Sequence, residues 1–186
     1  MKRLLICLLC CLLLCTAAFA SEPAITSLKT DCVVTGSGDA EFTQTVSIQL
    51  DTPVNELHFP LGANARSVSI VGYKAGKTTE DGITILTLKS DAGISGSRTF
   101  TLHYTLPGLV SAQDGVQTLT LPLLCAKWDF PIENYAFTVT LPEAFPATPG
   151  FASGYQGDVI EDYMTSSVQE NVLSGSTTVS LKDHEA

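Results

Sequence analysis

Hydrophobic and polar residues alternate with a period of two along most of this chain. The cleanest run is Ala40–Leu50: Ala40, Phe42, Val46, Ile48 and Leu50 share one parity, Glu41, Thr43, Thr45, Ser47 and Gln49 the other. That alternation predicts a strand with one buried and one wet face, broken at Asp51-Thr52-Pro53. The chain is organised around Leu119–Pro142. Leu119, Leu121 and Leu123 alternate before the single tryptophan, Trp128, and Tyr135, Phe137, Val139 and Leu141 alternate after it. Pro131 carries no backbone donor, so two strands joined by an apolar Trp-Asp-Phe-Pro corner are expected. Such a corner plugs one end of a β-sandwich.

Turn signals separate further runs of the same kind. Leu28, Cys32 and Val34 mark a first strand that ends at Gly36-Ser37-Gly38-Asp39. Val54 to Phe59 reads as a short strand closed by Pro60. Val68 to Tyr73 and Ile83 to Leu88 flank the polar stretch Lys74–Gly82 as a hairpin. A Gly/Ser-rich loop, Ser90–Ser97, precedes the alternation of Phe100, Leu102, Tyr104 and Leu106, and a loop around Asp114-Gly115 follows. Phe145 to Gly157 reads as a long loop, with weaker strands at Val168–Val172 and Thr177–Leu181. No stretch holds a 3.6-residue period for more than two turns, and no fixed-period repeat occurs. Eight or more short strands rich in Thr, Val and Ile predict an all-β, immunoglobulin-like antiparallel sandwich.

The first 20 residues follow another rule. Met1-Lys2-Arg3 is basic, Leu4 to Leu14 is apolar, and Ala18-Phe19-Ala20 is a small-x-small cleavage signal. The three parts together predict a signal peptide cut after Ala20. Leu14, before Cys15, is too large for a lipoprotein site, and the apolar run falls short of the ~20 residues of a spanning helix. Cleavage removes four of six cysteines (Cys7, Cys10, Cys11 and Cys15) and two bases, leaving residues 21–186 as a single domain. The whole chain has a net charge of −9, and the mature part, with 19 acids and 8 bases, one of −11. So acidic a surface excludes nucleic acid as a partner and disfavours anionic headgroups.

Several segments in combination resemble the extracytoplasmic N-terminal region of the bacterial membrane proteins grouped as domain of unknown function 2207. They are Glu56–Gly62, Ser97–Pro107, Leu119–Pro142 with its Trp-x-x-Pro-Ile-Glu-Asn core, Ser153–Tyr163 and Lys182–Glu185. The resemblance covers most of the mature chain. It implies a signal peptide, a β-sandwich outside the membrane, and a membrane helix further on, in a segment absent from this chain. It implies no known activity. Family members continue past the Asp-His-Glu at residues 183–185 into another strand, so the resemblance implies an incomplete sandwich here.

Candidate chemistry is sparse. Cys32 and Cys125, the only mature cysteines, each share the parity of apolar neighbours. In an exported protein an even count suggests a disulfide, worth ~4–5 kcal/mol for so long a loop. Two separate buried thiols satisfy the pattern equally. Asp158, Glu161 and Asp162 follow a Gly-rich loop with Glu170 nearby, a set that could meet a hard cation or simply be solvated. Asp129 and Glu133 flank the Trp corner as a conceivable glycoside-hydrolysis pair. Trp128, Phe130 and Tyr135 could stack on a sugar or aromatic ligand, or plug the sandwich.

His58, His103 and His184 are scattered without ligand spacing. Gly150–Gly154 misplaces the serine of a hydrolase elbow, and Gly76-Lys77-Thr78 sits in a hairpin where a phosphate loop needs a helix. No cofactor is implied. Two functions remain: a non-catalytic exported module that binds an unknown protein or cell-surface ligand, or an exported hydrolase whose site is assembled from residues distant in sequence.

Overall fold

The computed structural model describes residues 22–147, 149–150 and 163–183. The signal segment, part of the loop after Phe145, and Asp158, Glu161 and Asp162 lie outside the described residues. Among the described residues ten strands appear: β1 Ala24–Val34, β2 Ala40–Ala63, β3 Arg66–Ile70, β4 Gly76–Glu80, β5 Ile83–Leu106, β6 Val110–Gln113, β7 Val116–Leu119, β8 Tyr135–Thr140, β9 Met164–Gln169 and β10 Val172–Thr177. The molecule is all-β, with no helix among the described residues, as the period-two pattern predicts. Eight strands form one sheet, ordered β3-β5-β2-β1-β8-β10-β9 with β4 also on β5, and β6 and β7 form a separate hairpin. All ladders are antiparallel except β1 with β8, which is parallel.

Two layers arise because this one sheet folds over itself. β2 and β5 are 24 residues each, and both bend where their ladder loses register between Leu50 and Glu56. Across that bend the buried parity of β2 changes from even (Phe42, Val46, Ile48, Leu50) to odd (Leu57, Phe59, Leu61). Residues inserted into one strand of a pair re-aim every later side chain in this way. The second half of β2 thereby lies over the second half of β5. The Phe59 and Phe100 rings meet edge-on at 5.3 Å, and a Cβ on Gly62 would be 3.4 Å from Leu106. Each fully buried Leu, Ile or Phe of this interior contributes about 1.5–3 kcal/mol of transfer free energy.

The bend revises several boundaries. Asp51-Thr52-Pro53 and Ser90–Ser97, expected as a break and a loop, are the irregular part of two continuous strands. Pro60 stays within β2 beside a second register shift, where a missing donor is tolerated. Part of the expected loop Lys74–Gly82 is β4, joined to β5 by Asp81-Gly82 with both φ positive. Asp-Gly is the sequence such a two-residue hairpin requires. The strand expected at Leu119–Leu123 is absent beyond Leu119, since Pro122 and Pro131 bracket a segment that crosses the sheet without a ladder. The last strands lie earlier than expected, at β9 and β10, with Glu170-Asn171 as their turn. Leu181 makes only an isolated bridge to Ile132.

One glycine is required by packing. Gly175 of β10 pairs with Phe137 of β8, and a Cβ there would sit 2.5 Å from the ring. The Phe137 ring therefore lies across the bare backbone of β10.

Candidate functional site

The crossing segment, residues 120–134, collects most of the residues that carry chemistry. Without a ladder its backbone needs individual partners. Ile25 N–H donates to Pro131 O (2.9 Å), Glu133 N–H to Ile25 O (2.8 Å), Leu28 N–H to Asn134 O (2.9 Å), and Ile132 and Leu181 exchange bonds of 2.9 and 2.8 Å. Asn134 Nδ2 donates to Thr26 O at 2.9 Å. These bonds pin the segment along β1, and the apolar side chains do the rest. Ile132 is fully buried, and Trp128 is buried against Phe59, ring centroids 6.3 Å apart. Trp128 therefore serves as a plug, leaving little of its ring to meet a ligand. Its Nε1 has no hydrogen-bond partner among the described residues.

Beneath the segment lies a buried polar chain. Gln44 Nε2 donates to Thr30 Oγ1 (3.2 Å), Thr30 Oγ1 to Leu123 O (3.4 Å), and Tyr135 OH to the same carbonyl (2.9 Å). Thr30 and Gln44 are 0% and 1% exposed, and Gln44 Oε1 has no partner among the described residues. The carbonyl of a non-sheet residue is satisfied here by side chains from two strands. Tyr135, buried, is thus a structural donor. Burial pushes its phenol far above the ordinary range, an adjacent Thr30 hydroxyl working the other way. Tyr104, stacked on Phe42 at 4.9 Å, is raised too, by burial first and by Tyr135 next.

Cys32 and Cys125 are free thiols. Burial pushes the Cys32 thiol up to about 12. Half-buried Cys125 is also raised by burial, with the Lys127 backbone N–H pulling it down. A thiol raised as far as that of Cys32 stays protonated at neutral pH and is a poor nucleophile.

Above the segment sits a cluster that the sequence did not announce. His58 Nδ1 and Asp129 Oδ2 are 2.8 Å apart, and His58 Nε2 is 3.8 Å from Glu56 Oε2. Since a carboxylate only accepts, Nδ1 carries the proton. Lys89 pairs with Glu56 and, through that hydrogen bond and its charge, holds the carboxyl below its usual value. At the β4–β5 turn, Lys127 Nζ and Asp81 Oδ2 are 2.6 Å apart, which lowers the acid and raises the amine. Each of the four cluster side chains is substantially exposed, so the cluster is a solvated polar clasp from the fold-over onto the crossing segment. Asp129 points to His58 in it, while Glu133 is an exposed residue at the β1 side. Among the described residues no group of three or more His, Cys, Asp or Glu is placed to hold a metal ion.

Glu56 and His58 are two apart on the wet parity of β2, but Lys89 and Asp129 join them only through the fold-over. Thr30 and Gln44 carried a fainter signal, as polar residues on strand positions whose parity is otherwise apolar.

Comparison with known proteins places this geometry. No curated protein matches the chain. Among solved structures it is similar to yeast LTA4 hydrolase in complex with bestatin (12% identity, TM-score 0.51, 87% of this chain, 27% of that one). The native yeast LTA4 hydrolase gives 14% identity, TM-score 0.51, and 87% and 28% coverage. An M1 zinc metallopeptidase from Deinococcus radiodurans gives 12%, 0.43, 87% and 40%. The chain spans about a quarter of the length of the two yeast structures, and at these identities the likeness is one of fold. Among the described residues no helix is long and apolar enough to cross a membrane, which leaves strands unaddressed. The family model described as "Predicted membrane protein (DUF2207) N-terminal domain" matches residues 24–185, nearly the whole span from β1 onward, and the chain belongs to that family.

Proposed function

We propose that the chain is an exported, non-catalytic β-module that serves binding, sensing or assembly for a membrane-associated bacterial protein. One observation carries this reading: the same fold makes up about a quarter of larger chains, so it is a fold that works joined to other domains. The signal pattern of residues 1–20 supports export, and the family description supports membrane association. The aromatic side chains most suited to ligand stacking, Trp128 and Tyr135, are spent on the interior. That favours recognition by a face or an edge over recognition in a deep pocket.

The test is topological and chemical together. In an exporting bacterium, protease added to spheroplasts should degrade the chain while a cytoplasmic marker survives, and the product should begin at Ser21. The purified chain should leave peptide and glycoside substrates unchanged. Protection from the protease, or an N-terminus at Met1, overturns export. The second reading, an exported hydrolase, is favoured by the hydrolase name of the two yeast structures that share the fold. Turnover of a peptide or glycoside by the purified chain, lost with the His58 and Asp129 side chains, would establish it.

A further inference from the structure

Among the described residues the sheet ends on one side at β9, and this edge differs from the others. β3 is short, with a positive φ at Ser67 and a register shift between Arg66 and Ser69. β4 carries Lys77 and Glu80 along its five residues. Charge, shortness and irregularity are the usual means of keeping a sheet edge from pairing. β9, Met164-Thr-Ser-Ser-Val-Gln169, has neither charge nor irregularity: it is a regular six-residue strand, uncharged in a chain of net charge −9.

Its free side can be read from the ladder. Thr178 N–H donates to Tyr163 O, which marks that pair as hydrogen-bonded. Antiparallel pairs alternate, so Thr165, Ser167 and Gln169 aim their backbone groups at β10, and Met164, Ser166 and Val168 aim theirs outward. No strand among the described residues pairs there. Ser166, opposite Gly175, is the centre of this outward set.

We infer that β9 pairs antiparallel with β9 of a second copy about a two-fold axis at Ser166, joining two sheets into one. The occupant follows from self-complementarity. With Ser166 on the axis, Met164 meets Val168 of the copy and Val168 meets its Met164, while serine faces serine. An isologous contact needs this match of a patch with itself. Val168 is 40% exposed and Tyr163 51%, and both gain cover, Tyr163 opposite Gln169 of the copy. On the other face Thr165 meets Ser167, continuing the hydroxyl pairs Thr165–Ser176 and Ser167–Ser174 already present. No charged side chain lies on β9, whereas β4 carries Lys77 and Glu80. The pairing stands whether or not the chain is catalytic, so its failure leaves the module reading intact.

The test is sedimentation of the chain recovered from an exporting host, together with amide exchange at two protein concentrations. A monomer–dimer equilibrium is expected, with the Ser166 and Val168 amides more protected at the higher concentration. Ser166→Lys, which sets two ammonium groups face to face, should raise the dimer Kd at least about tenfold. Thr78→Lys on β4 should leave it unchanged. A chain monomeric at all concentrations overturns the inference. So does a dimer that Ser166→Lys does not weaken, or β9 protection independent of concentration, which would mean that this chain covers its own edge.

Discussion

β8 and the crossing segment before it bury side chains of similar size by opposite means. β8 is a six-residue strand between β1 and β10, and Tyr135, Phe137 and Val139 enter the interior because every second residue must. The segment 120–134 has no ladder, yet Trp128 and Ile132 are as deeply buried as Phe137. Its position comes from separate bonds to β1, from side chains that reach its carbonyls, and from Trp128 as a plug. A ladder shares the work among many equivalent bonds. A pinned segment concentrates it in a few residues, and those residues are where substitutions should tell the two regions apart.

The largest effect is expected from emptying the interior on either side of the comparison. Phe137→Ala and Trp128→Ala should each cost about 3–5 kcal/mol in urea unfolding, enough to threaten a domain of ordinary stability. Thr138→Ala, one residue off the buried parity, should stay within about 0.5 kcal/mol. The two large truncations should differ in kind. With Phe137→Ala protection should fall throughout the sheet, whereas Trp128→Ala should first raise amide exchange along residues 120–134. If Trp128→Ala costs under about 1 kcal/mol, the segment is an ornament on a sheet that stands without it.

Gly175 gives the intermediate case. Glycine to alanine in a strand ordinarily helps slightly, because glycine loses the most chain entropy on folding. Here the added methyl would meet the Phe137 ring at 2.5 Å and Thr165 O at 2.9 Å. Gly175→Ala should therefore destabilise by about 1–3 kcal/mol, the range for overpacking. The double variant Gly175→Ala with Phe137→Leu should recover part of that loss. A neutral Gly175→Ala would show that the ring does not lie across β10.

How far the pattern of the sequence reaches follows the same division. In β2 up to Leu50, in the second half of β5 and in β8, parity alone names the buried residues, because one wet face and one dry face leave no other choice. It fails at the bend, where Asp51-Thr52-Pro53 looks like the end of a strand. A break and a bulge use the same residues, and only the pairing partner decides between them. It fails again at Leu121 and Leu123, which keep the period of a strand without having a neighbour to pair with. The His58–Asp129 contact joins residues 71 apart and depends on the fold-over, so no local signal could have announced it. Cys32 and Cys125 show a further limit: parity placed Cys32 inside correctly, but depth says nothing of whether two thiols meet.

The smallest expected effect is at the clasp outside the segment, and it separates inside from outside as the source of the segment's position. His58 and Asp129 are each about 40% exposed. An exposed His–carboxylate contact is an ion pair only when the ring is charged, and even then contributes typically 0.2–1 kcal/mol, because water competes for both partners and two side chains must be held still. His58→Ala and Asp129→Asn should thus each cost no more than about 1 kcal/mol, and the double variant little more than either alone. The coupling between them should shrink further in high salt, as solvated charges are screened. Urea unfolding of the two single variants and the double variant, in low and high salt, measures this directly. A coupling well above 1 kcal/mol that survives salt would mean that the fold-over holds residues 120–134 from outside. The Trp128 plug would then be a consequence of the segment's position and not its cause.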